Sequence, residues 1–201
     1  MQEGLVRMVE DKVVVRKHST LEARLNLFED LLKFMAEIYL STNGKYPAME
    51  WLPPEKKPNP HAENFFDDFA KKYGPFLKWR LTRELDEIIL AFIDNEIVGV
   101  IALNYGLRGK EVPWIPKEFS KRNDIGFIEL FAVNPGYRGI GIGSFLFRKA
   151  IERLRELGKK PCVVTFPNLE AVKFYEKMGG KIIKRYDVFV MYCFEKTSNL
   201  R

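Results

Sequence analysis

The chain's 201 residues suit one domain with a sizeable core, or one domain with an elaborated end, and 46% hydrophobic with 30% charged residues exclude a disordered chain. No apolar run is long enough to cross a bilayer, and Met1 to Arg16 lacks the apolar centre of a signal peptide, so no membrane role and a cytoplasmic location are expected. Thirty-three basic against 27 acidic residues leave +6, but they are spread singly or in pairs such as Lys56-Lys57 and Lys159-Lys160, so nucleic acid is not the expected partner.

Lys12-Val-Val-Val-Arg16 is β-branched and reads as a first strand. Ser19 and Thr20 can cap a helix whose apolar positions Leu21, Leu25, Phe28, Leu32, Met35 and Tyr39 follow helical spacing, with Asn43-Gly44 ending it. The proline-rich stretch 45–60 cannot be regular helix or central strand. A second helix is expected from about His61 to Leu85, with a break at Gly74-Pro75.

Glu87 to Ile93 and Ile97 to Asn104 read as strands joined at Asp94-Asn95-Glu96, and 105–124 as a second irregular segment. Ile125 to Val133 is apolar enough for a strand buried on both faces. A glycine-rich turn, Asn134 to Gly143, leads into a helix from Ser144 to Leu157, stopped by Gly158. Strand Pro161 to Phe166, helix Asn168 to Met178 and strands Lys181 to Lys184 and Val188 to Phe194 complete the order β-α-α-β-β-β-α-β-α-β-β. That is a mixed sheet with helices, α+β or α/β, in a single domain. Cys162 and Cys193 lie in apolar runs and are expected as buried thiols, and with His18 and His61 the sole histidines no metal centre is expected. Abundant Lys and Glu with one glutamine, Gln2, point to a thermophilic source.

The densest chemical signal is Val133-Asn-Pro-Gly-Tyr-Arg138-Gly-Ile-Gly141-Ile-Gly143-Ser144. Glycines between a buried strand and a helix start let the backbone approach a phosphate closely and offer it unpaired N–H groups. A Walker A loop fails, because Gly143-Ser144-Phe145 has no lysine, and a dinucleotide fingerprint fails, because Gly139, Gly141 and Gly143 make G-x-G-x-G. The segment instead resembles the pyrophosphate loop of the GNAT acetyltransferases, [Arg/Gln]-x-x-Gly-x-[Gly/Ala], through Arg138, Gly141 and Gly143. Ile128-Glu-Leu-Phe-Ala-Val133 before it resembles that family's fourth strand, and Asn168-Leu-Glu-Ala-Val-Lys-Phe174-Tyr175-Glu-Lys-Met-Gly179 its second motif. The likeness covers about 125–184; Gly180 departs from it, standing where the family usually has Phe.

The resemblance implies one N-acetyltransferase domain over 1–201, with an acceptor-side half at 1–124 and an acetyl-CoA-binding core at 125–184. It implies a mainly antiparallel mixed sheet that splays between its fourth and fifth strands. Acetyl-CoA, as acyl donor, would pair with the strand at Phe131, Ala132 and Val133 and rest its pyrophosphate on Arg138, Gly139, Ile140, Gly141, Ile142, Gly143 and Ser144. Asn168 would orient the cofactor arm or tie the fifth strand to the next helix. Glu129 would be the base, its pKa raised in an apolar strand, and Tyr175 the acid that protonates the departing thiolate. A backbone N–H would hold the tetrahedral oxyanion.

Plainer readings stand beside these. The glycine loop could be a simple turn, Tyr175 a core aromatic, Asn168 a helix N-cap, and Glu129 a carboxylate paired with a Lys or Arg. Strict alternation puts Glu129 on the face of Phe131 and Val133, unless a bulge intervenes. Tyr46, Trp51, Trp114 and Phe119 are candidates for an acceptor pocket. The expected acceptor is a primary amine, of a small molecule rather than of a protein N-terminus or lysine, because segments 45–60 and 105–124 suit covering a cleft. A non-catalytic acetyl-CoA sensor is the other class, and a homodimer is left open.

Overall fold

The structure, a computed structural model, describes residues 13–119 and 121–195. Residues 1–12, including Lys12 and most of the N-terminal stretch read for a leader, lie outside them. Seven strands form one sheet: β1 (Val14–His18), β2 (Glu87–Ile93), β3 (Glu96–Asn104), β4 (Ile125–Val133), β5 (Lys160–Thr165), β6 (Lys181–Tyr186) and β7 (Phe189–Cys193). Their order is β1-β2-β3-β4-β5-β7-β6, with β4 and β5 parallel and every other pair antiparallel. The fold expectation of a mixed, mainly antiparallel sheet with helices is met.

Alternation along the strands sends side chains into two helical layers. Ile88, Leu90 and Phe92 of β2 meet α2 (Phe28–Ser41) and α3 (Phe65–Trp79) through Leu31, Met35, Phe69 and Leu77. Ile89 and Ala91 meet α4 (Ile142–Glu156) through Ile142, Leu146 and Phe147, beside α5 (Ala171–Lys177). Asp94 and Asn95 take left-handed conformations, φ 50° and 66°, and turn the β2–β3 hairpin where their sequence predicts it.

Three elements differ from their sequence patterns. The first helix is broken into α1 (Leu21–Leu25) and α2, although Thr20 caps it as expected, accepting from the Ala23 N–H at 3.1 Å. Buried Arg24 accounts for the break: it donates to Leu81 O, Ser19 O and Asp86 O, which turns α1 onto the end of α3. The second helix starts at Phe65 and runs through Gly74-Pro75 without a break. Pro75 is exposed and buried Gly74 lies against Phe28 of α2, so the helix crossing holds a turn that local propensity would interrupt. The helix then widens into a π turn, Arg80–Glu84, closed by the Leu85 N–H on Arg80 O at 2.9 Å.

The cysteines are the third correction. Cys162 of β5 and Cys193 of β7 are direct register partners, and their sulfurs are joined in a disulfide rather than left as separate thiols. Thirty-one residues separate them, so nothing short of the strand pairing announces the contact.

Candidate active site

The sheet opens where the glycine loop leaves it. β4 pairs with β5 only from Ile125 to Ile128, whereas its pairing with β3 continues to Val133. Residues 129–133 therefore have a strand on one side and none on the other. Beside that free edge Asn134 accepts from the Gly136 N–H at 3.0 Å, and the Arg138 Nε–H donates to Val133 O at 3.1 Å, which folds the loop back on the strand end. Gly139 and Gly141 have φ of 81° and 102°, and a Cβ on either would meet nothing within 4 Å. Both glycines thus serve a left-handed backbone beside open space.

Gly141 caps α4 without a side-chain hydrogen bond, and the first bond of the helix runs from the Phe145 N–H to Gly141 O. The N–H groups of Ile142, Gly143 and Ser144 therefore find no acceptor within the helix. Gly143 sits against Phe131 and Val133, so the helix start lies close over the open strand edge. Donors, positive dipole end and space fit a pyrophosphate.

Glu129 lies at the root of the opening, on a bulge. Ile128 faces Leu103 and Leu130 faces Ala102, so Glu129 is the extra residue in β4. The bulge overturns the alternation expected for Glu129. Phe131 and Val133 pack toward α4, while Leu130 packs among α2 and α3 and Glu129 turns to the same side.

There its Oε2 accepts from the Trp114 Nε1–H at 2.9 Å and from Arg80 Nη2 at 3.4 Å, while Oε1 is buried with no hydrogen-bond donor among the described residues. Arg80 also grips Glu84, Nε to Oε2 at 2.6 Å and Nη2 to Oε1 at 2.9 Å. Burial first, then the Glu84 charge, push the Glu129 carboxyl well above the ordinary carboxylate range, against the opposing pull of Arg80. Burial works to lower Arg80, but Glu84 and then Glu129 outweigh it and keep the guanidinium charged.

Tyr175 of α5 is buried on the opposite layer, its ring 5.6 Å from Phe147 and 6.2 Å from Tyr192. Burial, then the nearby Tyr46, raise its hydroxyl above the ordinary phenol value. Tyr46 itself is fixed through Thr42, whose Oγ1 accepts from the Tyr46 N–H at 3.0 Å and donates to its carbonyl at 3.1 Å. Its hydroxyl is raised by burial, against the opposing pull of Arg80 and then of the Phe131 backbone. Tyr46 and Tyr175 thus approach the opening from its two faces. Asn168 is exposed in the turn before α5, and the N-cap is Glu170, so the capping reading of Asn168 is corrected.

Of the aromatics offered for an acceptor pocket, Trp114, Trp51 and Tyr46 cluster on the Glu129 side. Trp51 lies 4.3 Å from Phe76, which meets Trp114 at 5.9 Å. Phe119 is buried with Ile115 and Phe127 in a core against which Trp114 also packs. Segment 105–124 is tied down by Lys110 on Asp86, by the Tyr186 hydroxyl donating to Trp114 O at 2.6 Å, and by the pair Lys184–Glu118. Arg80, Glu84, Tyr73 and Tyr186 went unread in the sequence. The four-residue spacing of Arg80 and Glu84 signals a helical pair, but no local pattern says that the pair faces β4.

Comparison with known proteins gives a consistent picture. The model of the acetyltransferase (GNAT) family matches residues 46–180. An uncharacterised N-acetyltransferase of Archaeoglobus fulgidus is 33% identical over 102 residues, covering 50% of this chain and 63% of that protein. One of Methanocaldococcus jannaschii is 30% identical over 106 residues, covering 52% and 43%. The match thus spans less than two thirds of either relative. A solved Pyrococcus horikoshii protein, provisionally assigned as an acetyltransferase, is 45% identical with TM-score 0.69, covering 92% of this chain and 98% of that one. The PaiA N-acetyltransferase of Thermoplasma acidophilum, solved with coenzyme A, shares the fold at 16% identity and TM-score 0.57, covering 90% and 96%.

Proposed function

This chain belongs to the GNAT acetyltransferase family, and on that premise we propose that it moves an acetyl group from acetyl-CoA to a primary amine of a small molecule. The single observation that carries the reading is the free edge of β4 at 129–133 beside the uncapped start of α4. Acetyl-CoA brings the activated acetyl group; the chain brings the rest. Phe131, Ala132 and Val133 offer backbone groups to its arm, and Arg138, Gly139, Ile140, Gly141, Ile142, Gly143 and Ser144 surround its pyrophosphate. Exposed Asn168 is free to meet the same arm. The coenzyme A complex of the PaiA enzyme supports the choice of ligand.

Glu129 takes the amine proton. Its unpartnered Oε1 leaves a lone pair for that proton, and burial raises its affinity for it. Tyr175, kept protonated by burial, gives a proton to the leaving thiolate. Trp114, held over Glu129 by segment 105–124, leaves little room for a polypeptide and favours a small amine. We assign the whole chain to one catalytic domain, with 1–124 serving the acceptor and 125–184 the donor. We place it in the cytoplasm of a thermophile, on its Lys- and Glu-rich, glutamine-poor composition and its archaeal relatives.

Calorimetric titration with acetyl-CoA tests this, comparing wild type with Gly141→Glu, which puts bulk and negative charge in the phosphate cradle. Binding to the wild type that the folded variant loses, followed by CoA release with a panel of small amines, is the expected outcome. Binding without CoA release on any amine would leave a sensor, and no binding at all would end the enzyme reading.

A further inference from the structure

Around Glu129 the buried charges do not balance by pairing. The side chains of Arg80, Glu84 and Glu129 are 8%, 0% and 5% exposed, so one guanidinium faces two carboxylates with little water among them. The guanidinium is not shared equally. Glu84 takes it through two bonds of 2.6 and 2.9 Å, and Glu129 is left with one contact at 3.4 Å.

Among the described residues, the other groups that approach Glu129 supply no second positive charge. They are Trp114 of segment 105–124, Tyr46 of segment 45–60 and Tyr186 of β6, while Tyr73 of α3 faces Arg80. The nearby Lys110 is engaged by Asp86 at 2.5 Å and by Glu84 only through its backbone carbonyl. An unpaired buried charge is unfavourable, so of the two carboxyls the one with the poorer partner has the greater affinity for a proton.

We infer that Glu84 is a positioning residue for Glu129: by holding Arg80 in a two-bonded pair it denies Glu129 a counter-charge and so raises the affinity with which an ionised Glu129 accepts a proton. The inference rests on the reading of Glu129 as the base. A base that kept Arg80 to itself would be a stable carboxylate with little appetite for an amine proton. The raised proton affinity of Glu129 agrees with the geometry. The π turn matters because it sets Arg80 and Glu84 side by side at the end of α3, against the β4 bulge.

The test needs no acceptor. Carbon-13 resonances of the glutamate carboxyls are followed through a pH titration of the full-length free protein, with Glu129 assigned by its loss in Glu129→Gln. In the wild type Glu129 titrates above the other glutamates. In Glu84→Gln, where Arg80 has one carboxylate left to serve, it falls by about 1–3 pH units. Glu84→Asp, too short to keep both bonds, moves it the same way by less, and carries the test if the glutamine variant does not fold.

A wild-type Glu129 that titrates with the other glutamates overturns the inference, as does one that stays in place in both variants. Acetyl transfer is a separate readout. A protein that transfers acetyl with an ordinary Glu129 loses this inference and keeps its proposed function. One whose Glu129 falls as expected, but which transfers nothing, does the reverse.

Discussion

Tyr175 illustrates how one side chain can be read two ways until its surroundings are known. It is 5% exposed and ringed by Phe147, Phe174 and Tyr192, as a core aromatic would be, yet its neighbour Tyr46 reaches it from the other layer. Tyr175→Phe separates the two roles, since it keeps the ring and removes the hydroxyl. If Tyr175 is the acid, kcat falls by about 10²-fold or more, with acetyl-CoA affinity by calorimetry unchanged. An unchanged kcat would leave the residue to packing alone. Because burial keeps the phenol protonated, Tyr175 should contribute no limb to the pH–rate profile near neutrality.

Between elements, the contacts that matter are those that leave no space. Gly180 stands where the family usually has Phe, and the sequence suggests only a lost packing aromatic. The structure shows that the space is taken. A Cβ at Gly180 would lie 2.9 Å from Tyr175 O and 2.9 Å from the ring of Phe194, which follows β7 and packs 5.0 Å from Phe147. Phe194 thus supplies the aromatic from another element. Gly180→Ala should therefore destabilise the protein by about 1–3 kcal/mol, because a backbone carbonyl cannot step aside; equal denaturation midpoints for variant and wild type would refute this. Gly126 plays a similar part in β4, where a Cβ would press on Leu154 and Lys159 and lift α4 from the sheet.

For the molecule as a whole, the buried carboxyl at the sheet opening links stability to pH. Glu129 is raised in the folded state, so its contribution is fully present below the unfolded value of 4.5 and is lost as pH climbs from there to the folded value. Glu129→Gln imitates the neutral form and removes that dependence. The unfolding free energy of the wild type, measured by denaturation, should then fall relative to the variant as pH rises, by about 1.4 kcal/mol for each pH unit separating folded and unfolded carboxyls. Parallel curves from acid to alkaline pH would show that Glu129 ionises freely.

The same scale divides what was legible from what was not. Strand alternation, helical spacing, the Asp94-Asn95 turn and the glycine loop are local patterns, and the order of elements and the family likeness followed from them. Alternation also placed Glu129 in a buried strand, but on the wrong face, because a bulge depends on the partner strand and not on β4 alone. Gly74-Pro75 signalled a break that packing against α2 overrides. Cys162 and Cys193 were each legible as buried, whereas their pairing awaited the register of β5 on β7. Sequence alone thus determined a glycine-rich turn between a buried strand and a helix, with a carboxylate and a phenol in the elements beside it. Only the tertiary structure decided that Arg80 and Glu84, 49 and 45 residues before Glu129, would be buried together with that carboxylate. Charge balance in a buried site is a property of what the fold brings together, and residues so far apart carry no trace of it along the chain.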